Sequence, residues 1–234
     1  MPAIMAPLQF GVLLIPFQLM DAAGPLDVLS SSTKEYLKGI EALGFPAGLS
    51  DKGIDMEFHH IAETMEPVTL PANFRAQPTT TCATCPTLDY LLIGGPKFEY
   101  ISNPPPVMLD FIRSRAQEVK ILFTTCTGGM VAAAAGILDG KTATTNHGAL
   151  PIAMQYFKKV RWAKEKWVVD GKFWTAGGAA AGMDMFAHWV IENYGKDVAE
   201  AGFGALDYEP RDIQRKRVHL KRHEEEANGD HNGK

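Results

Sequence analysis

The run ILFTTCTGGMVAAAAG, residues 121–136, places Cys126 where strand-forming residues give way to small helix formers. A cysteine at a sharp strand-to-helix turn stands as the serine does in a nucleophile elbow. The N–H groups and positive dipole end of the following helix would favour thiolate over thiol. The same N–H groups suit negative charge developing on a substrate. Thr127 follows directly, and Gly128 and Gly129 let a substrate come close to the backbone. The placement fits a small, inert, buried thiol equally well. A second candidate is the carboxyl of Asp21 in MDAAGPLDVL, residues 20–29. Asp27 is explained there as a helix N-cap. Asp21 is open to proton donation or acceptance, or to an ordinary turn bond with its own backbone.

Two glycine pairs lie at strand ends. Gly94-Gly95 closes LDYLLIGG, and its N–H groups would contribute to an anion or oxyanion site. TAGGAAAG, residues 175–182, enters a helix almost without side chains, which suits close packing or a roomy pocket wall at Ala179. The spacing of a dinucleotide fingerprint is absent. His147 lies near the expected active face as a candidate base, and His59-His60 are further candidate ligands. Cys82-Ala-Thr-Cys85 is a single CxxC without the second ligand pair of a zinc site, and Pro86 opposes a thioredoxin-type helix start. It reads as a structural loop. Met183, Met185, Phe186 and Trp189 read as core.

These residues need elements to hold them. Leu8–Ile15 is a short apolar run that reads as a buried strand, followed by a turn at Gly24-Pro25 and a helix from Asp27 to Ile40. Asp55–Ile61 and Val68–Leu70 are weaker strands, and Pro71–Pro86 reads as a surface connection. Strands follow at Leu88–Ile93, Ile121–Thr125 and Lys141–Thr145. Helices are predicted from Pro104–Pro106 to Val119, over Cys126–Gly136, over Leu150–Val160, from Gly177–Gly182 to Tyr194, and near Val198–Leu206. Asp170-Gly171 marks a two-residue hairpin between Trp167 and Thr175. Alternating strands and helices predict an α/β sandwich with a mainly parallel sheet and helices on both faces.

With 234 residues, 46% hydrophobic and 21% charged, the chain has the make-up of a globular protein able to bury a sizeable core. A net charge of −4 gives no broad nucleic-acid footprint. Three cysteines are too few for a disulfide framework. The apolar N-terminus lacks a basic n-region, and no uninterrupted apolar stretch of about 20 residues occurs. The expectation is a cytoplasmic protein without membrane or nucleic-acid partners. Residues 1–210 are expected to form one domain. Residues 211–234 hold seven Lys/Arg, five Asp/Glu and three His, and are expected to be a charged helix fraying into a tail.

In order and spacing, FQLMDAAGPLDVL, LDYLLIGG, FTTCTGG, GILDGKTATTN, VVDGKFWTAGG, GMD and LDYEP resemble the ThiJ/PfpI superfamily over residues 8–210. That superfamily shares the class I glutamine-amidotransferase-like, flavodoxin-type three-layer sandwich. The Asp-x-x-Gly-Pro-x-Asp-Val-Leu form and the Cys-Thr-Gly run look most like its isonitrile hydratase branch. The resemblance implies that Cys126 is the nucleophile, Asp21 the proton-managing carboxyl, Thr127 an assisting neighbour and Gly95 a turn near the substrate anion. Gly94, Gly128, Asn146, His147 and Ala179 complete the expected substrate-binding set. It implies a homodimer, a small electrophilic substrate, and no metal or organic cofactor. Asn146 occupies the slot where many members have His, with His147 one residue later, which argues against a Cys–His dyad. Other readings are a glyoxalase III-like dicarbonyl lyase, a lyase or cyclase of secondary metabolism, and a non-enzymatic redox sensor. Asp21 and Asn146 weigh against the first of these.

Overall fold

The computed structural model describes residues 6–220. In chain order these form β1 (Leu8–Leu13), α1 (Met20–Ser30), α2 (Lys34–Glu41), β2 (Met56–Ala62), β3 (Val68–Thr69), β4 (Arg75–Ala76) and β5 (Thr80–Thr81). Next come β6 (Tyr90–Ile93), α3 (Phe98–Ser102), α4 (Pro106–Glu118), β7 (Ile121–Thr125), α5 (Gly128–Ala134), β8 (Thr142–Ala143) and α6 (Leu150–Tyr156). The last are β9 (Arg161–Trp162), β10 (Trp167–Asp170), β11 (Phe173–Ala176), α7 (Ala179–Tyr194) and α8 (Lys196–Ala205). The chain divides into two compact units, one holding the described residues up to Gly24 together with Met56–Gly182, the other holding Pro25–Asp55 and the described residues from Met183.

The first unit is built on a seven-stranded sheet in the order β10-β11-β7-β6-β1-β2-β5. Every neighbouring pair is parallel except the β10/β11 hairpin. The central strands carry unbroken apolar runs because both faces are covered. Val12, Leu13, Leu91, Leu92, Ile93, Leu122 and Phe123 are all buried, and α5 packs on β6 and β7. The expected fold class is therefore what the chain adopts, a mixed α/β structure with a mostly parallel sheet flanked by helices.

Register sets the functional end of this sheet. Leu13 pairs with Ile93, Ile93 with Thr124, and Thr125 with Ala176. The chain leaves β6 at Gly94 and β7 at Cys126 on the same level, at the carboxyl ends where open parallel sheets bind ligands.

Two local expectations are corrected. The turn at Gly24-Pro25 does not form; α1 begins at Met20 and runs through Pro25, so Asp27 is not an N-cap and Asp21 lies in the first helical turn. Proline has no N–H to offer the carbonyl four residues back. That carbonyl belongs to Asp21, and it accepts the hydroxyl of Thr125 at 2.8 Å instead. Thr125 is fully buried. Thr125→Val would orphan this carbonyl, and a loss of about 1–3 kcal/mol is expected in urea unfolding.

The second correction concerns Pro71–Pro86. Besides a connection it supplies β4, paired with β3, and β5, which forms the sheet edge beside β2. Two-residue strands of Thr or Arg-Ala carry no apolar period by which to recognise them. In the hairpin, Asp170 pairs with Phe173, so the two loop residues are Gly171 and Lys172, with Gly171 at φ 62°.

In the second unit, α2 is capped by Thr33, whose hydroxyl accepts from the Tyr36 N–H at 3.3 Å, and it buries Leu37 and Ile40. α8 packs against α2 and buries Val198, Ala199 and Phe203. The Asp184 carboxyl accepts from the Tyr208 hydroxyl and from the Arg211 N–H, which joins GMD to LDYEP. Residues 211–220 form a turn closed by an Arg211–Arg217 bridge rather than the expected helix; residues 221–234 of that expectation lie outside the described residues. Among the described residues no helix is long and apolar enough to cross a membrane.

Candidate active site

Cys126 is the first residue after β7, and its φ of 53° puts it in the left-handed region. A non-glycine residue held there stores on the order of 1–3 kcal/mol and needs its surroundings to over-determine it. They do. The Cys126 N–H donates to the Ala176 carbonyl at 3.0 Å, while the Cys126 carbonyl accepts from Asn146 N at 3.2 Å and Thr145 Oγ1 at 2.9 Å. Cys126 thus stands on a strained, strapped turn between β7 and α5.

Glycine packing brings the surrounding loops together. A Cβ on Gly95 would stand 2.6 Å from both the backbone nitrogen and Oγ1 of Thr127 and 2.9 Å from Asp21 Oδ2. On Gly128 it would overlap the Ile93 carbonyl, and on Gly129 it would lie 2.7 Å from the Thr144 carbonyl. Gly94 is packed on the Phe17 ring. The Thr127 hydroxyl donates to the Pro96 carbonyl at 2.6 Å and ties the elbow to the β6 loop.

Asp21, 1% exposed, is held by Gly95, whose N–H donates to Oδ2 at 3.1 Å. Oδ1 has no hydrogen-bond partner. Burial raises the carboxyl to about 6, against smaller downward pulls from Gly95 and the neighbouring Cys126 thiol. The Cys126 thiol is also pushed up, first by burial and then by the charge of Asp21. The Thr127 N–H and the hydroxyl and amide side chains of Thr127 and Asn146 pull the other way without prevailing. This corrects the expectation that the elbow alone lowers the thiol. Desolvation beside a carboxylate outweighs the polar contacts.

Asn146 has a defined orientation. Its Oδ1 accepts from Gly148 N at 3.0 Å, so its Nδ2 is the group that faces Cys126 Sγ, at 3.4 Å. His147 turns elsewhere, with Nε2 2.8 Å from the Glu165 carbonyl, and the same nitrogen would meet a Cβ on Gly177 at 2.8 Å. The one-residue shift therefore puts an amide, not an imidazole, on the sulfur. Gly95 was expected to offer its N–H to a substrate; that N–H is committed to Asp21, because the loop packs directly on the carboxyl. Ala179 is half-buried at the start of α7. Thr125, which anchors the backbone of Asp21, escaped sequence reading. A β-strand threonine looks like any other strand residue, and only the missing N–H of Pro25 hints at a need for a replacement donor.

The DJ-1/PfpI family pattern matches residues 17–192. Isonitrile hydratase of Pseudomonas putida is 32% identical over 218 residues, 87% of this chain and 79% of that protein. Among solved structures, a ThiJ/PfpI family protein from Pseudomonas syringae superposes with TM-score 0.72 at 24% identity, over 89% of this chain and 78% of its own. Drosophila melanogaster DJ-1beta superposes with TM-score 0.65 at 19% identity, over 86% of this chain and 98% of its own.

Proposed function

This chain belongs to the DJ-1/PfpI family, and we propose that it is a cofactor-free, cysteine-dependent hydratase that converts an isonitrile and water to an N-formamide. The observation that carries the reading is the pairing of Cys126 with a buried carboxyl poised near neutrality, in a chain similar along most of its length to an isonitrile hydratase. A histidine-activated thiol of hydrolase type is disfavoured by the amide that occupies the imidazole's place.

The chemistry follows from that pair. As Sγ attacks the terminal isonitrile carbon, the Asp21 carboxylate receives the thiol proton. The resulting carboxylic acid delivers a proton to the same carbon, leaving a thioimidate on Cys126. Asp21, again a carboxylate, activates water to add at that carbon. The Asp21 acid gives that proton to the nitrogen, the C–S bond breaks as the new hydroxyl's proton passes to sulfur, and the formamide leaves with thiol and carboxylate restored. One water is consumed and no net proton is gained or lost. Asn146 Nδ2 steadies sulfur when it carries negative charge, and the unpartnered Asp21 Oδ1 is the oxygen free for proton traffic.

The test is loss of the isonitrile stretch of an aryl isonitrile, with formamide followed by chromatography. Wild type is expected to turn over. Cys126→Ala is expected to fall by at least about 10³-fold, since no nucleophile remains. Turnover unchanged in Cys126→Ala would remove the thioimidate route. No turnover by a folded wild-type protein would remove isonitriles as substrates.

A further inference from the structure

We propose that Phe98 and Tyr156 form an aromatic wall beside the Cys126 site and select isonitriles that carry an aromatic substituent. The proposal rests on the hydratase reading and adds to it the class of group that the isonitrile bears.

Three segments meet around Cys126. Asp21 comes from the start of α1, Gly95 and Pro96 from the loop after β6, and Asn146 from the loop before α6. Each segment also carries a large apolar side chain in solvent. Met20 precedes Asp21 and is 49% exposed, Phe98 follows Pro96 by two residues and is 41% exposed, and Tyr156 ends α6 and is 64% exposed. A single exposed hydrophobic residue needs no explanation, but several collected in one place mark a binding surface. The rings of Phe98 and Tyr156 meet edge to face, with centroids 6.0 Å apart and planes at 65°. Their contact joins the loop on one side of the thiol to the helix on the other.

Helix direction aims both rings at the site. The Cα–Cβ bond of a helical residue tilts toward the helix N-terminus. α3 begins at Phe98, just after the loop whose Pro96 carbonyl holds the Thr127 hydroxyl, and α6 begins four residues after Asn146. Both helices therefore start at the site, and both side chains lean back toward it. The spans are short. Phe98 is separated from Pro96 by at most about 7 Å of chain. α6 has seven residues and is roughly 10 Å long.

The reaction has a use for such a wall. Cys126 and Asn146 are half-buried, so the sulfur is reached from solvent. The isonitrile group is linear and holds its substituent straight out from the carbon that Sγ attacks. Gly94, Gly95, Gly128 and Gly129 offer that substituent no side chain. The edge-to-face pair offers a ring face and a ring edge, the two surfaces on which another aromatic ring packs. Such a contact adds about 2–12-fold beyond the area it buries.

The test compares 2-naphthyl isonitrile with tert-butyl isonitrile on the full chain, with kcat and KM separated. Wild type is expected to favour the naphthyl compound by at least about 10-fold in kcat/KM. Phe98→Ala and Tyr156→Ala are each expected to lower that preference by about 5-fold, the loss lying mainly in KM, and Tyr156→Phe to retain it. Equal loss on both substrates, or an unchanged preference in both alanine variants, would overturn the wall. So would a changed oligomeric state of either variant in light scattering, which would make the rings part of a subunit interface. If wild type turns over neither compound, the hydratase reading fails and the wall is tested by alkylation of Cys126 with iodoacetanilide and with iodoacetamide, followed by site-resolved mass spectrometry. The advantage of the aryl reagent is expected to fall about 3-fold in each alanine variant, and an unchanged ratio would overturn the wall.

Discussion

Asp21→Asn is expected to lower isonitrile kcat/KM by about 10²–10⁴-fold, the usual share of a positioned acid–base group, while making the protein more stable. Activity falls because an amide cannot take the thiol proton or return it to carbon. The pH profile distinguishes this from a packing defect. In wild type, kcat/KM is expected to rise with pH through about 6, where the buried carboxyl ionises. That limb should vanish in Asp21→Asn.

The stability gain has a definite sign. The folded carboxyl keeps its proton up to about pH 6, whereas the ordinary value is 3.8. As pH rises above about 4, the unfolded chain sheds this proton first, and the native state loses relative stability until both forms are ionised. At pH 7 the cost approaches about 3 kcal/mol if the whole difference is expressed. Asparagine keeps an oxygen for the Gly95 N–H and carries no charge to desolvate. Urea unfolding at pH 7.5 is expected to show Asp21→Asn more stable by about 1–3 kcal/mol, and at pH 3.5 the two proteins should agree. A variant less stable at pH 7.5 would mean that Asp21 is held in the fold by more than Gly95.

Gly128→Ala is expected to destabilise by about 3 kcal/mol, at the upper end of ordinary overpacking. The added carbon would overlap the Ile93 carbonyl and stand 3.0 Å from that of Gly94, both backbone groups that no rotamer change can move. Thermal unfolding should shift down by roughly 6–12 °C for a chain of this size. Activity should fall with it, since α5 would be pushed from the loop whose Gly95 holds Asp21. Gly39→Ala is the control. Nothing lies within 4 Å of its Cβ position on the exposed face of α2, and a gain of about 0.5–1 kcal/mol is expected from helix propensity.

Much of this architecture was legible in the chain. The runs LQFGVL, YLLI and ILFTT are apolar without alternation, which in short segments bounded by Gly, Pro or polar residues signals strands buried on both faces. Proline in its opening turn located α4 within two residues. Asp170-Gly171 located the hairpin to within one residue, since only the glycine needed a positive φ. Local steric and solvation preferences suffice for such signals. The edge strands were illegible because two-residue segments carry no period, and their pairing is decided by β2 rather than by themselves.

The sequence by itself determined that a cysteine would stand at the end of a buried strand, that glycines would surround it, and that Asn146 rather than a histidine would follow KTATT. Tertiary structure alone decided which groups meet. Parallel register put the ends of β6 and β7 level, and the Gly95–Asp21 bond joined residues 74 apart in the chain. Pro25 lies inside α1 because Thr125, 104 residues from Asp21, supplies the donor that proline lacks. The direction of the Cys126 thiol was decided there too. A strand-to-helix elbow lowers a thiol by local dipoles, but burial beside a carboxylate from another part of the chain raises it by more. Desolvation depends on everything packed around a group, and no window of sequence contains that.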